Sequence, residues 1–298
     1  MRISEKIISA LRQSFETLLY FATMVVKEDF HNYVKRAGAI EMTPSKRLAV
    51  LGNGPSLKKE LPRLIENKAW EEMDLMAVNF FALSEEFCVV KPKYYVISDP
   101  MFFRRAGYGE RVQSLYIALA EKVNWPMKLY VQYYNPEYFN YNIAIGHNPN
   151  IDIVPFHSTM FYGFRKVEFW CYERGLGSGN FGTVIQNGEL IALQLGYKQV
   201  ELYGVDHTLL DGLIVDDKNR VCRRKSHYYD TAESEAEPIY YNATNPPRPY
   251  TMSEYLSETA ELFRGHEVLR DFALHCKARI INRTAGSMID AYEREEME

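Results

Sequence analysis

The chain has 298 residues, 47% hydrophobic and 25% charged, which is globular composition with material for a full core. Its formal net charge of −4 carries no basic excess, which argues against a general nucleic-acid partner. The four cysteines, Cys88, Cys171, Cys222 and Cys276, form no C-x-x-C pair, so neither a disulfide framework nor a zinc site is expected and the thiols read as reduced and cytosolic.

Residues 1–26 place Ile3, Ile7, Leu11, Phe15, Leu18 and Phe21 at helical spacing. Arg12 and Glu16 interrupt any run of the ~20 apolar residues that a membrane-crossing helix requires. Residues 1–45 therefore read as an N-terminal helical segment. Its apolar stripe packs on the domain or on a second subunit. Contact with a membrane surface is the alternative, and gains weight if the substrate is a lipid.

Residues 46–298 read as one domain. RLAVLG (47–52) is a buried strand and Leu57 to Trp70 a helix, with Ser56 as the expected N-cap. Strands follow at 73–79, 94–99, 127–132 and 150–156. Residues 181–196 read as a strong helix, with Ser178 or Asn180 as its cap, and 198–206 as the next strand. Residues 253–277 form a last helix and 278–284 a last strand. This alternation predicts an α/β, Rossmann-like, mostly parallel sheet with helices on both faces. In such sheets ligands bind beyond the carboxyl ends of the strands. Asn53, Asn79, Asp99, Asp206 and Asn282 each close a strand there and are expected to share a rim. Residues 207–252 break the pattern. They are polar, rich in tyrosine, and read as a lid insertion over the strand ends.

Two glycine-rich turns carry the functional signal. Gly52-Asn53-Gly54-Pro55-Ser56-Leu57 joins a strand to a helix, where backbone N–H groups attract an anion such as phosphate. It has neither the G-x-G-x-x-G nor the G-K-[ST] spacing, so NAD and ATP are not favoured. By itself the turn is as well explained by a tight strand-to-helix connection. GLGSGNFG (175–182) opens the second helix, and a flexible connector is its plainer reading. The D-x-D metal motif is absent at Asp206-His207-Thr208, and Asp216-Asp217 reads as a solvated turn, so no metal and no cofactor is expected. His227 and Asp230 in the lid offer a general base, although a hydrogen-bonded surface histidine is the commoner case. His266 reads as a core histidine between Phe263 and Leu269.

These motifs resemble a known group. Gly52-Asn53-Gly54-Pro55-Ser56-Leu57 is similar to the G-N-G-P-S-L opening of the bacterial sialyltransferases of glycosyltransferase family 42, and to the turn of the related Maf-type flagellin glycosyltransferases. Val78-Asn79-Phe80-Phe81, Ser178-Gly179, ALQLGYKQVELYGVD (192–206) and Ser226-His227-Tyr228 resemble the family's further motifs in the same order, across residues 47–290. The resemblance implies inverting, metal-independent transfer of a sialic-type nonulosonic sugar from a CMP-sugar donor to a glycan or lipid-linked glycan acceptor, in surface polysaccharide biosynthesis.

By position it places Asn53 and Asn79 on the nucleotide and its phosphate, and the backbone N–H groups of the turn through Gly52, Gly54 and Ser56 are expected to take up the phosphate charge. Ser178 and Gly179 fall on the donor, Asp206 at the edge of the CMP pocket, and Tyr228 on the leaving phosphate. The family's third-strand asparagine corresponds to Asp99. Its catalytic histidine, three residues after the lid tyrosine, is replaced by Thr231, so the base is taken in the order His227, Asp230, His266. A cytoplasmic chain is expected, peripheral at the inner membrane face if the N-terminal helix touches lipid, with a homo-oligomer also open. Two other functions stay open: a non-catalytic nucleotide-binding or assembly protein of this fold, and a pterin diphosphokinase-like enzyme.

Overall fold

The computed structural model describes residues 3–26, 47–103, 109–132, 139–223, 236–241 and 246–295. The chain begins with helix α1 (Ile3–Val26), then runs β1 (Arg47–Leu51), α2 (Leu57–Glu66), β2 (Asp74–Val78), β3 (Tyr94–Ile97), α3 (Glu110–Lys122), β4 (Met127–Gln132) and β5 (Ile151–Phe156). It continues with α4 (Arg165–Glu173), α5 (Val184–Gln194) and β6 (Gln199–Tyr203). Five short strands follow: β7 (Leu213–Val215), β8 (Val221–Arg223), β9 (Glu237–Pro238), β10 (Tyr240–Tyr241) and β11 (Arg248–Pro249). Helix α6 (Met252–His275), β12 (Arg279–Asn282) and β13 (Glu293–Arg294) close it.

One eight-stranded sheet has the order β13-β12-β6-β1-β2-β3-β4-β5, and every neighbouring pair is parallel. The expected Rossmann-like α/β class is what forms. The alternation within β1 shows why its residues 48–51 are continuously apolar. Leu48 and Val50 of β1 face one core with α4, α5 and α6, while Ala49 and Leu51 face a second core with α2 and α3. A strand buried on both faces needs apolar residues at every position rather than at alternate ones.

The chain extends the sheet from β1 through β5 in one direction, then returns to lay β6, β12 and β13 on the other side. The reversal lies between β1 and β6. Connections leave those two strands in opposite directions, which opens a crevice at their carboxyl ends.

The 207–252 region carries its own small antiparallel pairings, β7 with β8, β8 with β9, and β10 with β11. Asp216 makes the tight turn of the first hairpin. It accepts from the Lys218 and Arg220 amides and from the Arg220 guanidinium, which holds its carboxyl down at about 2. Asp216-Asp217 is thus a turn, as its sequence reads. At the far end, Thr251 and Glu254 form a capping box that starts α6.

Candidate functional site

The turn after β1 packs against the turn after β6 at backbone distance. The Gly52 N–H donates to Tyr203 O at 2.7 Å and the Gly54 N–H to Gly204 O at 2.8 Å. A methyl group at Gly52 would stand 2.3 Å from Gly204 O, and one at Gly54 would stand 1.8 Å from Asp206 Oδ2. The two glycines therefore serve contact with the neighbouring strand. They do not clear space around Asn53.

Ser56 is not a helix cap. Its backbone is already helical and its hydroxyl makes no capping bond. The hydroxyl donates to Asp206 Oδ2 at 2.8 Å, and the Ser56 N–H donates to Asp206 Oδ1 at 3.2 Å. With Gly52, Gly54 and Ser56 all donating to β6 or its turn, and no N–H on Pro55, the expected phosphate cradle of this turn is largely used up inside the protein. Burial pushes the Asp206 carboxyl above the ordinary carboxylate range, against the pull of its Ser56 bonds. Behind it, the buried Glu60 carboxyl takes the Gly204 N–H at 2.6 Å and the Ala285 N–H at 3.4 Å, and so ties together the turns that follow β6 and β12.

A cleft of about 590 Å³ opens at the reversal point, bounded by Asn53, Asn79, Asp206, His207 and Arg223. Asn53 donates its amide to Val78 O at 3.0 Å, while its Oδ1 is buried without a partner. Asn79 sits in the left-handed region at φ 48°, where asparagine is tolerated, and its Oδ1 is also buried and unpartnered. Buried polar atoms are nearly always satisfied. Two unsatisfied acceptors on one cleft can take hydrogen bonds from a ligand.

Arg223, at the end of β8, is the one Lys or Arg on this cleft among the described residues. It donates to Tyr255 Oη at 2.7 Å, and Tyr255 in turn donates to Leu209 O at 2.8 Å. Arg223 has no local signature in the sequence, and only the pairing of β8 with β7 carries it to the cleft.

Of the five strand-closing residues, Asn53, Asn79 and Asp206 meet in the cleft. Asn282 lines an adjoining depression of about 890 Å³ with Ser56, Lys59 and Arg283, and Asp206 lines both. Asp99 is exposed and accepts from the Met101 amide at 2.9 Å, so it shapes a turn away from the cleft. Ser178 is buried in backbone pairing with residues 159 and 161. Gly179 lines a third depression with Ser9, Gln13 and Glu261. Neither Ser178 nor Asn180 caps α5; Thr183 does, accepting from the Ile185 N–H. His227, Tyr228, Asp230 and Thr231 lie outside the described residues.

Beneath the cleft runs a buried network that sequence reasoning missed. His266 is fully buried, as expected of a core histidine. Its Nδ1 lies 2.9 Å from Tyr292 Oη and 3.3 Å from Glu189 Oε1, and Tyr292 also donates to Glu189 Oε2. The His207 ring packs edge-on to His266 at 5.1 Å, with its Nε2 buried. Burial, reinforced by His266, pushes the His207 pKa from 6.5 down to about 3.

The native state thus holds His207 neutral where the unfolded chain protonates it. Its contribution to stability is complete above pH 6.5 and is lost as pH falls from 6.5 towards 3. Urea unfolding midpoints should show this as a slope approaching about 1.4 kcal/mol per pH unit between those values. His207→Asn tolerates the left-handed φ of 49° and should flatten the slope. An unchanged slope in that variant would show that His207 titrates normally.

The chain is an α/β protein with a cleft at the reversal point of a parallel sheet. No protein-family model matches the chain. No curated protein matches it. Among solved structures it is similar to a Maf glycosyltransferase from Magnetospirillum magneticum AMB-1, with a TM-score of 0.46 and 12% identity, over 84% of this chain and 33% of that one. The chain thus spans about a third of the length of that structure, and a likeness at this level assigns neither family nor activity.

Proposed function

We propose that the chain is a glycosyltransferase that uses a nucleotide-activated sugar, first among them a CMP-linked nonulosonic acid. The observation that carries the reading is the pair of buried, unpartnered oxygens, Asn53 Oδ1 and Asn79 Oδ1, on a cleft that Arg223 also lines. Two acceptors match the N–H and O–H groups of a base and ribose. A guanidinium matches phosphate, and replaces the turn amides as its first partner. The motif resemblance supplies the sugar-transfer half of the reading.

In this reading a lid base, His227 before Asp230, deprotonates an acceptor hydroxyl. That hydroxyl attacks the anomeric carbon with inversion as CMP leaves, and Tyr228 and Arg223 take up the phosphate charge without a metal. The acceptor is a glycan or lipid-linked glycan of surface polysaccharide synthesis. No helix among the described residues is long and apolar enough to cross a membrane.

Calorimetric titration with CMP, UDP and GDP tests the donor class. CMP is expected to bind tightest, with Asn53→Ala and Asn79→Ala each weakening it by roughly tenfold, the value of one or two hydrogen bonds. Binding of UDP or GDP in place of CMP would sink the CMP assignment. If His227→Ala keeps near-wild-type turnover at saturating donor, His227 is not the base.

A further inference from the structure

Helix α1 is amphipathic, but it is mounted the wrong way round for a helix that merely packs on its own domain. The side towards the domain carries Ser9, Gln13, Glu16 and Thr17, all part-buried, before Tyr20 and Met24 become fully buried. The anchoring is specific: Thr17 Oγ1 accepts the Phe164 N–H at 3.2 Å, and the Tyr20 hydroxyl donates to Leu176 O. The opposite side presents Ile7, Ile8, Leu11, Phe15, Leu18 and Leu19 to solvent, each between 54% and 70% exposed. Single exposed apolar side chains are ordinary, but a continuous stripe of them marks an interaction surface.

The occupant follows from charge and spacing. Within α1 the charged residues are Glu5, Lys6, Arg12 and Glu16, two of each sign, and the whole chain carries −4. Recruitment to an anionic bilayer uses a cluster of several Lys and Arg, which this helix lacks. The stripe is instead complementary to itself. In an antiparallel pair with a two-fold axis between Ser14 and Phe15, Leu11 meets Leu18 of the other copy. Large Phe15 then lies over small Ser14, and Ile7 over Ala22. Glu16 stays on the domain side and accepts from Arg12 of its own helix, so no like charges face each other across the seam. The helix has 24 residues, about 36 Å of length, and a stable dimer takes roughly 800 Å² from each partner. Six large side chains in one stripe, all more than half exposed, form the apolar centre of such an interface.

We infer that α1 is the isologous interface of a homodimer, formed by antiparallel packing of its solvent-facing stripe on a second copy of this chain. The inference is independent of the sugar-transfer reading.

Sedimentation equilibrium of the full chain at micromolar concentration is expected to show a dimer. Leu11→Glu with Leu18→Glu should weaken association by roughly a hundredfold or more, with the circular dichroism unchanged, because both positions are exposed in the protomer. Leu11→Ala with Leu18→Ala gives the same test with less risk to folding. In a background where the exposed Cys88 is replaced by Ser, Leu11→Cys with Leu18→Cys should form a covalent dimer on oxidation, and either cysteine alone should not. A chain monomeric at all these concentrations overturns the inference. So does a lipid-free monomer that binds phosphatidylcholine or phosphatidylserine vesicles and loses that binding in the Leu11→Glu, Leu18→Glu variant.

Discussion

Gly54→Ala is expected to destabilise the chain by about 3 kcal/mol or more and to remove nucleotide binding with it. The added methyl would stand 1.8 Å from Asp206 Oδ2 and 2.7 Å from Gly204 O. A flexible side chain can move away from such a contact, but a backbone carbonyl that takes the Gly54 N–H cannot. Overpacking usually costs about 1–3 kcal/mol, and a clash with both a carbonyl and a tethered carboxylate belongs at or beyond the top of that range. Relief by retreat of Asp206 breaks both of its bonds to Ser56 and shifts the wall of the cleft. Urea unfolding reads the first effect and calorimetry with CMP the second. The double variant with Asp206→Ala should recover part of the lost stability, since the closest clash goes with the carboxylate, so the two changes should be clearly non-additive. A Gly54→Ala protein with the parent's unfolding midpoint would mean that the two turns are not in contact.

That coupling marks where the sequence was legible. The strand runs and their order were plain because a sheet buried on both faces needs uninterrupted apolar residues, as at 48–51 and 75–78. The carboxyl-end rule then located the crevice. What a local motif does not carry is the identity of the group it approaches. G-N-G-P-S-L states that its backbone comes close to something, and an anion was one answer. The partner turned out to be Gly204 to Asp206, about 150 residues onward in the chain, and only the parallel pairing of β1 with β6 brings that stretch alongside. Ser56 was misread as a cap for the same reason, because its hydroxyl's partner is tertiary. Helix α3 has an apolar face, with Val112, Leu115 and Leu119 buried, that its spacing does disclose and that went unread. Arg223 and the Glu189–His266–Tyr292 set were illegible for a stronger reason. The members of that set lie on α5, α6 and the last turn of the chain, and no spacing rule connects them.

That buried set carries the second large effect. Glu189→Ala is expected to cost about 2–5 kcal/mol, because it opens a cavity in a fully buried helix and takes the acceptor from the Tyr292 hydroxyl, which keeps only His266 Nδ1 as a partner. Glu189 lies in the middle of a helix whose residues from Val184 to Leu193 are all buried, so water has no easy route to replace the carboxylate. Tyr292→Phe should cost less, about 1–3 kcal/mol, since it opens no cavity but takes the hydrogen-bond partner from both Glu189 Oε2 and His266 Nδ1. In the double variant with Glu189→Ala the two losses should fall short of their sum, because the phenyl ring that replaces the Tyr292 phenol no longer needs a partner. The effect should also reach the cleft. His207 packs on His266, and the left-handed turn at His207 forms part of the cleft wall. CMP affinity should therefore fall in Glu189→Ala even at temperatures where the variant remains fully folded. Loss of stability with unchanged affinity would show that the network holds the helices together and leaves the cleft alone.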